Sequence, residues 1–199
     1  MDKGIFHILL DNGHGSNTPG KCSPDKSIRE YSYVRELVAG IADRLIIDGY
    51  NVHLVTPELT DISLKERCRR INELCRQYGA LNCLSVSVHI NAAGSDGQWH
   101  NASGWQVCVA QRCSINSMEL ASSLAKSAEQ FFKVRRPLPA QDYWPMNLAM
   151  CRDTVCPAVL TENLFQDCHK DVDMLLTPEG FNDIVSLHVN GIQDYIKLL

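Results

Sequence analysis

The chain has 199 residues, 45% of them hydrophobic, which suits one ordinary domain, residues 1–199, with a real core. Its formal charge of -4, with acids and bases interleaved, leaves no basic stripe of the kind nucleic-acid binders carry. No uncharged apolar stretch is long enough to span a bilayer, so neither nucleic acid nor membrane insertion is expected.

The start, Met1-Asp2-Lys3-Gly4, runs straight into a strand-like segment without the charged leader, apolar core and cleavage site of a secretory signal. The expectation is a chain made in the cytoplasm. The first apolar run, residues 6–10, breaks into Asp11-Asn12-Gly13-His14-Gly15. A histidine among glycines at the end of a buried strand is placed for chemistry rather than packing. Val34, Leu37, Val38, Ile41 and Leu45 then mark the apolar stripe of a helix, and Glu30 lies one turn earlier on the same stripe. An inward carboxylate needs a partner such as a cation, because burying it unpaired is costly.

Residues 52–55 read as a second strand, and Ser63-Leu64-Lys65-Glu66 has the form of a capping box opening a second helix. Residues 84–88 form a third apolar run, ended by His89, and a polar loop follows as far as Gly104. A fourth run covers 105–109, a helix is expected over 115–134, and a proline-bearing loop over 135–145. A fifth run, 158–161, ends in Glu162, and Thr177-Pro178-Glu179 opens the last helix. This alternation predicts an α/β domain, a sheet covered by helices. The nine cysteines are odd in number and contain no C-x-x-C pair, so reduced thiols packed as small hydrophobes are expected.

Hydrolytic zinc takes three ligands from His and Glu or Asp and leaves a fourth position to water. His14, Glu30 and His89 are such a set, and Glu162 is the natural base to take the water's proton. Chemistry alone does not fix this choice, because any two histidines and two glutamates can be assembled into a site on paper.

The turn Leu10-Asp11-Asn12-Gly13-His14-Gly15, the helix-opening Glu30, Ser63-Leu64 with Arg67 and Asn72, Ser87-Val88-His89-Ile90-Asn91-Ala92, Gly104 before a strand, and Pro157-Ala158-Val159-Leu160-Thr161-Glu162 occur in an informative order. In that order they resemble the zinc-dependent N-acetylmuramoyl-L-alanine amidases whose last motif carries a catalytic glutamate. The resemblance implies a mixed sheet with helices on both faces. It also implies a peptidoglycan hydrolase cutting the amide between the lactyl group of N-acetylmuramic acid and L-alanine. His14, Glu30 and His89 would then hold one zinc ion, with Glu162 catalytic. The sequence departs from the family pattern where Asn12 replaces a proline, where a second glycine falls at Gly15 or Ser16, and where Asn163-Leu164-Phe165 follows Glu162 in place of Gly-Phe.

Among neighbouring residues, Asp11 is a candidate to hold a ligating histidine through its free ring nitrogen. Arg67 is a candidate to orient a ligand or, preferably, to brace its helix to the site. Arg152 is a candidate for a substrate carboxylate, against a surface or structural pairing. His7, His53 and His188 read as structural, and His100 and His169 as surface residues. Competing readings are a zinc carboxypeptidase-like peptidase and a non-catalytic peptidoglycan-binding module. The expected setting is the bacterial cell wall, reached by release as a phage or prophage lysin.

Overall fold

The computed structural model describes residues 3–199. Met1 and Asp2, on which part of the leader-free reading rests, lie outside the described residues. In chain order the elements are β1 (His7–Asn12), α1 (Glu30–Ile47), β2 (Asn51–Leu54), α2 (Leu64–Tyr78), β3 (Cys83–Asn91), β4 (Gln106–Ala110), α3 (Ile115–Ala128), β5 (Trp144–Met146), α4 (Ala149–Arg152), β6 (Ala158–Phe165), α5 (His169–Leu175) and α6 (Pro178–Ile196). The strands form one sheet in the order β2-β1-β3-β6-β4-β5. All neighbouring pairs are parallel except β4 with β6, so the sheet is mixed.

Strand side chains point alternately to opposite faces, and here both faces are covered, as a largely parallel sheet requires. Ile8, Leu10, Val86, Val88 and Val159 pack with Val34, Leu37 and Ile41 of α1, Leu120 and Leu124 of α3, and Ile184 and Ile192 of α6. Leu9 and Cys83 pack on the other face with Cys68, Ile71 and Cys75 of α2 and Met150 of α4. The cysteines are free, and most of them are buried among these apolar groups.

Ser63 Oγ accepts the Glu66 amide at 3.3 Å and Thr177 Oγ1 accepts the Gly180 amide at 2.9 Å, each opening its helix as the sequence predicts. The return half of the capping box is not made, because the Glu66 carboxylate is drawn to Arg69 and Arg70 instead. The third helix stops at Ala128 rather than at residue 134. The Lys133 carbonyl accepts the Trp105 amide at 3.0 Å and the Arg135 amide donates to the Trp105 carbonyl at 2.7 Å. Sheet-edge pairing thus captures a segment of aromatic and β-branched residues that are weak helix formers. The loop expected over 135–145 runs to residue 143, and only its end differs, where Trp144–Met146 form β5 and Pro145 is tolerated because the strand is an edge. The short α4 and α5 were not expected, since one or two turns carry no readable period.

β1, β3 and β6 lie side by side and run the same way, with Asn12 level with Val88 and His89 level with Glu162. Their C-terminal ends therefore bring three of the four candidate residues to one edge of the sheet, where open α/β sheets bind ligands.

Candidate metal centre and active site

His14 follows β1 with φ 60, a left-handed conformation that a non-glycine residue holds only under constraint. Two guanidinium groups supply the constraint. Arg35 Nη2 donates to the His14 carbonyl at 3.1 Å and Arg67 Nη2 does so at 3.4 Å. The flanking glycines are required for a different reason, close approach. A Cβ on Gly13 would lie 2.5 Å from the His89 ring, and one on Gly15 would lie 2.0 Å from the Asp61 amide nitrogen. Burial lowers the His14 pKa to about 4, the Glu30 charge opposing this and the His89 charge adding to it. The ring is neutral at physiological pH, with its nitrogen lone pair available.

Glu30 is the first residue of α1 and is fully buried, as its place on the apolar stripe predicts. Its Oε1 lies 3.4 Å from His14 Nε2 and 3.1 Å from His89 Nδ1, and accepts the Ile90 amide at 3.0 Å. Its Oε2 is buried without a hydrogen-bond partner. Burial pushes this carboxyl up, but the hydrogen bond and charge of His89, the charge of His14 and the Ile90 amide hold it below the usual range. The His89 pKa is the mirror case. Burial lowers it, and the hydrogen bond and charge of Glu30 raise it further than burial takes it down. The two imidazoles meet edge to face, with centroids 4.9 Å apart. The three ligand atoms all lie within 4.8 Å of one another.

Glu162 stands opposite His89 on β6, and its Oε2 is also buried without a partner. Burial pushes its carboxyl up to about 7, the His89 charge working against this, Glu30 with it and Lys21 against it. The two carboxylates are thus driven in opposite directions, which separates a group kept ionised from one able to carry a proton near neutrality. Just past Glu162 the ladder slips: His89 pairs with Glu162 but Asn91 pairs with Phe165, and Leu164 sits in the bulge at φ 66. Asn163 fixes this bend. Its Nδ2 donates to the His89 carbonyl at 2.9 Å and its Oδ1 accepts from Trp105 Nε1 at 2.8 Å.

Asp11 meets no histidine ring. Its oxygens take Arg67 Nη1 at 2.7 Å, Thr56 Oγ1 at 3.1 Å and Ser87 Oγ at 2.6 Å, because it points to the sheet face that α2 covers. Arg67 is buried and also reaches Asp61 at 2.8 Å and the Ile62 carbonyl at 2.8 Å, so it ties α2 to the turn that carries His14. Arg152 is exposed on α4, with its guanidinium held by Asp153 and Asn147. His7 and His53 share a hydrogen bond of 2.9 Å beside the Tyr78 ring, and His100 pairs with Asp96. His188 is fully buried and bonded to Thr161 and the Ile184 carbonyl. Sequence reasoning missed Arg35, Asn163 and Lys21.

A mixed α/β sheet with a His-Glu-His cluster and a buried glutamate at the C-terminal ends of its parallel strands has the layout that a metal-assisted hydrolase needs. The sequence model of the N-acetylmuramoyl-L-alanine amidases matches residues 8–194, and the chain belongs to that family of enzymes. It is 28% identical over 194 residues to the endolysin of Bacillus phage SPP1, covering 96% of this chain and 66% of that protein. It is 23% identical over 198 residues to the sporulation-specific N-acetylmuramoyl-L-alanine amidase of Bacillus subtilis (strain 168), covering 98% and 69%. The chain therefore spans about two thirds of the length of these curated relatives. In fold it is similar to the N-acetylmuramoyl-L-alanine amidase of Clostridium difficile 630, with TM-score 0.83, 20% identity and 98% of each chain covered. The N-acetylmuramyl-L-alanine amidase of Mycobacterium smegmatis gives TM-score 0.83 at 15% identity, with 100% of each chain covered.

Proposed function

We propose that this chain is one catalytic domain that hydrolyses the amide between the lactyl group of N-acetylmuramic acid and the L-alanine of the stem peptide. In this reading His14, Glu30 and His89 hold one zinc ion and Glu162 is the general base. The observation that carries it is the His14–Glu30–His89 ligand cluster together with two buried carboxylate oxygens without partners, Glu30 Oε2 within the cluster and Glu162 Oε2 on the residue level with His89.

The donor set fits the ion. Neighbouring ligands of a tetrahedral zinc with bonds of about 2 Å lie roughly 3.3 Å apart. Glu30 Oε1 already stands 3.4 Å from His14 Nε2 and 3.1 Å from His89 Nδ1. When bound, zinc supplies Lewis acidity that polarises a carbonyl and makes a water acidic enough to ionise near neutral pH.

Glu162 accepts the proton of the attacking water and then returns it to the departing alanine nitrogen. A carboxyl held near neutrality by burial serves both halves of that transfer, since it must first be a base and then an acid. Asn163 keeps β6 against β3, so the base holds its position beside His89. The Asp11–Arg67 pair and Arg35 hold the His14 backbone in its constrained form. Arg152 serves the surface pairing with Asp153 rather than a substrate carboxylate.

The endolysin relative favours action at the bacterial wall as a phage or prophage lysin. Digestion of purified peptidoglycan with mass analysis tests the whole reading. Free lactyl-bearing glycan with peptides beginning at L-alanine supports it, and intact muropeptides defeat it. A requirement for the sugar separates it from a carboxypeptidase-like peptidase. Activity lost to a chelator and restored by one equivalent of zinc separates it from a non-catalytic binding module.

A further inference from the structure

At the same end of the sheet, a cavity of about 520 Å³ opens between residues 100–103, the segment after α3 and the start of α5. Its lining includes Lys133, Arg135, His169 and Lys170 and contains no carboxylate. Lys133, Arg135 and Lys170 gather three positive charges there, in a chain of net charge -4. Three acids lie close by. Asp167 Oδ2 takes the Ala93 and Gly94 amides at 2.8 and 3.0 Å, and its charge acts on His100. Asp96 is occupied by His100 at 2.9 Å. Asp171 is buried beneath, taken up by Ser103 Oγ at 2.7 Å, the Gly104 amide at 3.0 Å and the Phe165 amide at 2.9 Å. Among the described residues no ion pair holds Lys133, Arg135 or Lys170.

Like charges gathered around one cavity repel one another, and a bound anion relieves that repulsion. The cavity is also partly rigid. Arg135 lies over the Phe165 ring at 4.8 Å and donates through Nε to Gln106 Oε1 at 3.1 Å, and the His169 ring stacks on Trp99 at 3.7 Å. Gln106 is the register partner of Glu162 across the β4–β6 ladder, which puts the cavity beside the catalytic carboxylate. A guanidinium fork braced in this way suits a carboxylate or phosphate. Charges at a protein surface act over only about 8 Å in physiological salt, so this local patch, not the net negative charge, governs contact with a polyanionic wall.

We propose that this cavity is an anion subsite that binds an oxyanion of the wall, a peptide carboxylate or a polymer phosphodiester, and sets the substrate's register against Glu162. This rests on the peptidoglycan reading above and adds a binding site to it.

The test measures sedimentation binding to purified sacculi, with the non-cleaving Glu162→Gln protein compared with the same protein carrying Lys133→Glu and Lys170→Glu. Both lysines are exposed, and an unchanged thermal midpoint verifies the fold. The charge reversal is expected to raise Kd at least about tenfold at low salt. It should also flatten the loss of binding as salt is raised. Sacculi stripped of phosphodiester polymers and sacculi with amidated carboxyl groups identify the source: whichever treatment removes the difference between the two proteins names the anion. Equal binding of both proteins to untreated sacculi overturns the subsite, as does a difference that survives both treatments. Products of the parent enzyme are read separately, so a failure of the amidase reading shows up as intact muropeptides, whatever the binding result.

Discussion

Two buried charge clusters adjoin at the C-terminal end of β1, and they are built in opposite ways. In the first, Asp11 accepts from Arg67, Thr56 and Ser87, while Arg67 also reaches Asp61 and the backbone of the His14 turn. In the second, Glu30 and Glu162 each keep one buried oxygen without a partner, next to two half-buried histidines. A buried polar group left unsatisfied costs about 1–3 kcal/mol, so a fold does not keep two of them side by side without a use. At the Asp11–Arg67 pair the polar burial is complete, whereas the open oxygens of Glu30 and Glu162 leave room for a ligand and a proton.

The largest expected effect breaks the second cluster without touching the first. Glu162→Gln should lower turnover on peptidoglycan by roughly 10²- to 10⁴-fold, the range of a general base, while zinc content stays near one equivalent. Its unfolding midpoint should hold or rise, because a buried charge has been removed. Arg67→Ala attacks the first cluster and leaves Asp11 uncompensated, for which a loss of about 3–5 kcal/mol is expected in urea unfolding. If Arg67→Ala proved nearly neutral and Glu162→Gln unfolded the protein, the roles of the two clusters would be reversed. Zinc sharpens the contrast. At a hundredfold excess over its Kd it should stabilise the protein by about 2.7 kcal/mol, a gain that Glu30→Gln abolishes and Arg152→Ala leaves intact.

The second cluster was more legible in the sequence than the first. His14, His89 and Glu162 each end or follow an apolar run, and Glu30 interrupts an apolar stripe, so each announces itself within its own segment. The same local logic gave a sheet covered by helices and the caps at Ser63 and Thr177, while the mixed sheet with helices on both faces came from the family resemblance. Partners chosen across the fold leave no such mark. Asp11 was expected to meet a histidine, and it meets an arginine and two hydroxyls supplied by other elements. Asn163 joins Trp105 to the His89 backbone, and Gln106, level with Glu162, holds Arg135, all through contacts distant in sequence. The end of α3 was misread for the same reason, because the competing partner, Trp105, lies in another strand.

A third buried polar group belongs with the scaffold, and pH tests that assignment. His188 donates from Nδ1 to the Ile184 carbonyl and accepts at Nε2 from Thr161 Oγ1, whose oxygen accepts from Asn163 Nδ2. Burial lowers its pKa to about 4 from 6.5. Because the folded pKa is depressed, the unfolded chain binds the proton first. The stability is complete above pH 6.5 and is lost as pH falls toward 4, a total of about 3 kcal/mol at 1.36 kcal/mol per unit. Between pH 7 and pH 5 the loss should be about 2 kcal/mol. Urea midpoints across that window should fall less steeply in His188→Gln than in the parent, and the His14 contribution cancels in the comparison. Parallel slopes would show that His188 is not held neutral by its surroundings.

The smallest effect lies at Leu164, where the scaffold bends to carry the site. The residue is buried in the core yet sits at φ 66. In an ordinary strand, glycine is about 0.5–1 kcal/mol worse than alanine. Here alanine would keep the left-handed strain of about 1–2 kcal/mol and lose the leucine's packing, while glycine would lose the packing and release the strain. Leu164→Gly should therefore be at least as stable as Leu164→Ala, by up to about 1 kcal/mol in urea unfolding, although both fall below the parent. The usual order, with alanine ahead, would mean that the bulge beside Glu162 is relaxed, and the bend of β6 would then rest on the hydrogen bonds of Asn163 and of the Phe165 and Gln166 amides.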